Sequence, residues 1–101
     1  MKKLLFSILM IALVIACNTQ NNKDSDMPKT GQEIYRRNCA LCHGADGKLG
    51  VSGAKDLSTS PMGLDERINR IAYGKDLMTP FTGLLTDEEI RLVAEYTLTL
   101  K

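Results

Sequence analysis

A chain of 101 residues, 44% of them apolar, allows one domain. Its 13 basic residues stand against 12 acidic ones, and residues 1–16 hold two of the lysines and no acid, so the remainder balances at 11 against 12. No basic face or stripe survives that balance, which argues against nucleic acid as a partner.

Lys2 and Lys3 precede an apolar run from Leu4 to Ile15, then Ala16 and Cys17, the pattern of a secretory signal with a small residue before the cut. A spanning helix needs about 20 apolar residues, and this run ends short of that at the polar Asn18. Val14-Ile15-Ala16-Cys17 resembles the lipobox of bacterial lipoproteins, in which the cysteine takes a diacylglyceryl thioether and becomes the acylated first residue. The resemblance implies a leader over residues 1–16 and lipidation at Cys17. The chain would then be exported and lipid-anchored at a bacterial membrane, facing the periplasm or the cell exterior. The competing reading is an ordinary cleavage site that leaves a spare thiol. Asn18 to Lys29 is polar and cannot bury enough surface to fold alone, so residues 17–29 read as the anchor cysteine and a tether.

Thr30-Gly31-Gln32-Glu33 has the spacing of a capping box and predicts a first helix from Gly31 to about Ala40. Ile34, Tyr35 and Cys39 fall inward, and Gln32, Arg36 and Arg37 face water. Cys39-Ala40-Leu41-Cys42-His43 follows, with the spacing of c-type haem attachment. Two thiols three residues apart can each add to a vinyl group on one porphyrin edge, and the adjacent imidazole then points at the iron. His43 is the one histidine in the chain. A thioredoxin-like dithiol shares the cysteine spacing but needs a sheet, and a zinc site needs a fourth ligand beside Cys39, Cys42 and His43.

Gly44 to Pro61 keeps no period and reads as a loop of the kind that wraps something. Asp65 to Tyr73 predicts a short helix with Ile68, Ile71 and Ala72 on one face, ended by Gly74. Thr86-Asp87-Glu88-Glu89 repeats the capping-box spacing and opens a last helix from Asp87 to about Thr99. Its inward stripe is Ile90, Val93, Ala94 and Thr97, flanked by Tyr96 and Leu100.

From about Thr30 to the end, with Gly31, Tyr35 and Cys39-Ala-Leu-Cys42-His43-Gly44 at its head, the chain resembles the class I c-type cytochromes. The resemblance implies an all-α fold over residues 30–101, three main helices and long loops wrapped around one covalently bound haem c. In that family a methionine before a proline-containing loop is the sixth iron ligand, and Met78-Thr79-Pro80-Phe81 fits the place. Met62 and Met27 are the alternatives, and Met78 as an adaptable core filler is the plain one. The family also lets an aromatic of the last helix pack on a glycine of the first, which Tyr96 and Gly31 would do here. One departure stands out: a loop proline whose carbonyl orients the proximal histidine is missing, and Gly53-Ala54-Lys55-Asp56-Leu57 occupies that region. A carbonyl near Gly53 or Ala54 is the expected substitute.

With His43 and Met78 on the iron no position is open to substrate, so the expected function is electron transfer without a catalytic residue. The expected form is a monomer meeting other redox proteins transiently, with Lys48, Lys55, Arg70 and Lys75 as a candidate docking ring. Leu41, Leu49, Leu57, Leu64, Ile68 and Ile71 are among the candidate haem walls, continued by Leu77, Phe81, Leu85 and Val93. Gas binding or weak peroxidase chemistry at a labile Met78 is one alternative, and a haem-free dithiol redox protein is the other.

Overall fold

Thr30 opens the first helix as its side chain requires. Its Oγ1 accepts from the Glu33 backbone N–H at 3.2 Å, and the computed structural model, which describes residues 30–101, places α1 over Gly31–Asn38. The reciprocal half of the expected capping box is absent, because the Glu33 carboxylate pairs with Arg37 one turn on, at 2.6 Å. The helix also ends earlier than predicted. Cys39 widens to φ −117°, and the Asn38 side-chain amide donates to the Ile34 carbonyl, drawing the chain out of regular helix before a second, four-residue helix, α2, at Ala40–His43.

A 3-10 turn at Val51–Gly53 interrupts the expected loop, and α3 then spans Leu64–Tyr73, one residue longer than predicted. Its first turn is capped by the Glu66 carboxylate, which accepts from Gly63 N–H at 3.1 Å. The last helix, α4, covers Asp87–Thr97. Here the capping box closes fully: Thr86 Oγ1 accepts from Glu89 N–H at 3.1 Å and the Glu89 carboxylate accepts from Thr86 N–H at 2.9 Å. Thr86→Ala is expected to cost about 1 kcal/mol, read as a lowered urea midpoint with unchanged slope.

No strand forms among the described residues; two isolated bridges, Lys75 with Met78 and Thr82 with Leu85, pin the turns between α3 and α4. The all-α expectation holds, with α1, α3 and α4 as its three main helices.

α4 is the central element, packed on both α1 and α3. Seven apolar side chains make up the buried core: Ile34 and Tyr35 of α1, Ile71 and Ala72 of α3, and Ile90, Val93 and Ala94 of α4. The α1–α4 crossing is close because Gly31 has no Cβ. One placed there would collide with the Leu92 carbonyl and sit 3.0 Å from Tyr96 Cβ. Tyr96 also meets Tyr35, ring centres 5.2 Å apart and tilted by 54°, so the expected Gly31–Tyr96 contact is a backbone approach flanked by an aromatic pair.

The sequence pattern missed Arg67. On α3 it lies between Leu64 and Ile71, in the middle of the apolar stripe, and it is 6% exposed. Four backbone carbonyls satisfy it. The leader, Cys17 and the tether, with Met27, lie outside the described residues.

Candidate haem site

The α1–α2 junction sets out the motif. Cys42 N–H and His43 N–H both donate to the Cys39 carbonyl, at 3.2 and 3.0 Å, so one turn carries Cys39, Cys42 and His43. The turn is held to α1 by the Tyr35 hydroxyl, which donates to the Gly44 carbonyl at 2.6 Å. Burial, followed by the charges of Cys39, Tyr96 and Asp46, pushes that phenol up to about 12, so it stays a donor at any physiological pH. Both thiols are unpaired and half-buried, and burial pushes Cys39 up to about 11. A dithiol redox site works through a thiol shifted the other way, so Cys39 is poorly suited to that chemistry.

His43 Nδ1 lies 3.0 Å from the Lys55 carbonyl. A carbonyl oxygen only accepts, so Nδ1 carries the ring proton and Nε2 keeps its lone pair for a metal. The orienting carbonyl thus comes from Lys55, one residue beyond the expected Gly53 or Ala54. It is held without proline. Lys55 C=O and Asp56 N–H share one planar peptide, and the Asp56 carboxylate accepts from Ser58 N–H at 2.9 Å and Ser58 Oγ at 2.6 Å. The Ser58 hydroxyl bond holds the Asp56 carboxyl below its ordinary value, keeping this turn's acceptor ionised. At the other end Leu49 N–H donates to the His43 carbonyl at 2.9 Å.

Met78 is half-buried against the core, in the turn closed by its N–H donating to the Lys75 carbonyl at 2.9 Å. Gly74 makes that turn possible: its φ is +66°, and a Cβ there would collide with the Met78 carbonyl. Phe81 and Thr82 then strap the segment to α3 through their N–H groups, bonded to the carbonyls of Ile71 and Ala72 at 3.0 and 3.1 Å. Met62 is placed differently. Its carbonyl accepts from Arg67 Nε at 2.9 Å, which fixes it at the entry to α3.

The residues expected as haem walls divide into three groups. Ile71 and Val93, expected as haem walls, belong to the buried core. Leu57, Leu64, Ile68, Phe81 and Leu85 are partly buried at its rim, while Leu41 and Leu77 are 85% and 79% exposed. Seven core side chains are few for 72 residues, and small domains of this kind are stabilised by a further element such as a metal or a prosthetic group. Two unpaired thiols and an imidazole with Nε2 free on one turn, beside an apolar rim, are residues that fit haem c, with the Met78 thioether in the turn after α3. Among the described residues no three side chains of His, Cys, Asp or Glu gather to hold a metal ion, so the zinc reading finds no fourth ligand.

Comparison with known proteins agrees with this fit. Residues 26–96 match the family model described as cytochrome C oxidase, cbb3-type, subunit III. The cytochrome c6 of Gracilaria tenuistipitata var. liui is 30% identical over 102 residues, 95% of this chain and 93% of that protein. The cytochrome c6 of Thermosynechococcus vestitus is 30% identical over 103 residues, covering 97% and 92%. That of Synechococcus elongatus is 34% identical over 73 residues, 67% of this chain and 84% of its own length.

These relatives overturn the expected localisation. Cytochromes c6 are soluble periplasmic or lumenal carriers, and two of these match this chain over 95% and 97% of its length, so anchoring through a lipid on Cys17 is not supported. The Val14–Cys17 quartet is short, and a small residue before the cut is common to secretory signals at large, so it does not separate an anchored leader from a cleaved one. Among the described residues no helix is long and apolar enough to cross a membrane. The matches answer the larger question as well: the chain belongs to the class I c-type cytochromes, carries one covalent haem c with its iron, and is an electron-transfer protein rather than an enzyme.

Proposed function

We propose that Cys39 and Cys42 hold the haem through two thioethers, that His43 Nε2 is its proximal ligand and Met78 Sδ its sixth, and that the protein passes single electrons between other redox proteins. The observation that carries this reading is the His43 Nδ1 contact with the Lys55 carbonyl, which commits the ring to the tautomer with Nε2 free on the turn bearing both cysteines. The haem supplies the one-electron couple. The residues do the rest: the Lys55 carbonyl holds the imidazole plane with Nε2 free, and Met78 would fill the remaining position and favour the reduced state. The apolar rim keeps water from the site.

Residues 1–16 are proposed as a cleaved secretory leader, which places haem attachment outside the cytoplasm. Met78 is preferred to Met62 as sixth ligand because it precedes the Pro80 loop, where the class I family places that methionine, whereas Met62 sits at the entry to α3.

The test is covalency. Expressed with a haem-attachment system and extracted with acidified organic solvent, the wild type is expected to retain its haem absorption. The Cys39→Ala/Cys42→Ala double variant is expected to release it. A wild type that gives up its haem to solvent, or a double variant that keeps it, refutes the attachment sites.

A further inference from the structure

Arg67 has no part in the site described so far, and it is the one buried ionic side chain among the described residues. Its Nε donates to the Met62 carbonyl at 2.9 Å and its Nη1 to the Thr97 carbonyl at 3.1 Å. Its Nη2 donates to the carbonyls of Ser60 at 3.1 Å and Leu57 at 3.4 Å. Four of the five guanidinium N–H groups are thereby used, which leaves no pair for a two-pronged grip on a carboxylate. The charge is solvated by these carbonyl dipoles, and no acid among the described residues lies within ion-pair distance of it.

Two consequences follow. Residues 57–62 form no regular element, and the guanidinium binds three of their carbonyls while anchoring them to α3 and to the last turn of α4. No neutral side chain offers four such donors, so this clamp brings a full positive charge with it. Leu57, Leu64 and Ile68, which flank Arg67 in the loop and on α3, belong to the apolar rim that the proposed function turns toward the haem. The fixed cation therefore lies behind one wall of that site, in a medium that screens it far less than water.

We propose that Arg67 is a positioning residue that also tunes the redox couple: it clamps the 57–62 segment, and its unneutralised charge favours the reduced haem. The inference rests on the haem reading above. Each exchange with a one-electron partner protein adds or removes one unit of charge at the haem, the oxidised form being more positive by one. A nearby permanent cation destabilises that form and raises the potential. Thr97 O belongs to the C-terminal end of α4, where unpaired carbonyls carry partial negative charge, which explains how a cation is tolerated there.

The experiment uses the full-length holoprotein and three readouts: covalent haem by absorption, midpoint potential by mediated titration, and urea midpoint. Arg67→Met is expected to lower the reduced-to-oxidised ratio at fixed ambient potential by about tenfold, equal to 59 mV for one electron. Arg67→Lys is expected to hold the wild-type potential, and both variants to unfold at lower urea. An unchanged potential in Arg67→Met makes Arg67 a structural clamp alone and overturns the tuning role. Where Arg67→Met does not accumulate folded, Arg67→Lys decides: a wild-type potential with reduced stability supports the charge, and a lowered one assigns the effect to the displaced loop and overturns it. Failure of the haem reading is separate, since a wild type without covalent haem declares itself before any potential is measured.

Discussion

Gly31→Ala is expected to lower the stability of the domain by about 2–3 kcal/mol, although alanine is the better helix former by up to about 1 kcal/mol. The sign is decided by the neighbour. The added methyl group would meet the Leu92 carbonyl, an atom of the α4 backbone that cannot rotate aside, with Tyr96 Cβ 3.0 Å away on the same helix. Relief requires α1 and α4 to separate, and that loosens the packing around Ile34, Tyr35, Val93 and Ala94, all buried. In a domain of this size each kcal/mol is worth about 4–8 °C in Tm, so a fall of about 10–20 °C is expected by calorimetry of the holoprotein. An unchanged Tm would mean the crossing is looser than described. Because α1 leads directly into the Cys39–His43 turn, the variant is also expected to lose haem-attachment yield.

Met78→Ala is expected to give the largest change in redox behaviour. The variant removes the thioether proposed at the sixth position while leaving its turn intact, since that turn is made by backbone bonds and by Gly74. Three readouts should move together. The methionine-to-iron charge-transfer band of the oxidised protein should disappear, the potential should fall by on the order of 0.1–0.3 V within the ~0.8 V range that axial ligands command, and added imidazole should bind. A band and potential unaffected by the substitution would shift the assignment to another ligand, with Met62 first in line. Imidazole binding by the wild type as strong as by the variant would instead favour a labile Met78 and the gas-binding alternative.

Local signals in the chain were legible because each depends on residues a few positions apart. The capping box at Thr86, the stripe Ile90-Val93-Ala94-Thr97 and the end of α3 at Gly74 all appear where the spacing placed them. The Cys39–His43 spacing identified the cofactor, which the family then established. Spacing over short stretches also misled: Thr30 and Glu33 have capping-box separation, but Arg37 offers the carboxylate a stronger, charged partner. The Val14–Cys17 quartet suggested an anchor that the relatives do not support.

Three features were decided by the tertiary structure alone. The partner of His43 is a carbonyl 12 positions away, chosen by how the Asp56–Ser58 turn presents the Lys55 peptide, and any residue supplies a carbonyl. Arg67 reads as a polar interruption of an apolar stripe until its four carbonyl partners, one of them 30 positions away, are brought around it. The division of apolar residues between the core and the rim likewise depended on which helices met, since Ile71 and Ile68 share one face of α3 but only the former is buried against α4. The chain itself determined the helices, the attachment motif and the cofactor, because propensity, capping and two-thiol chemistry act over a few residues. Folding determined the His43 tautomer and the buried cation, because both depend on segments that sequence separates and packing joins.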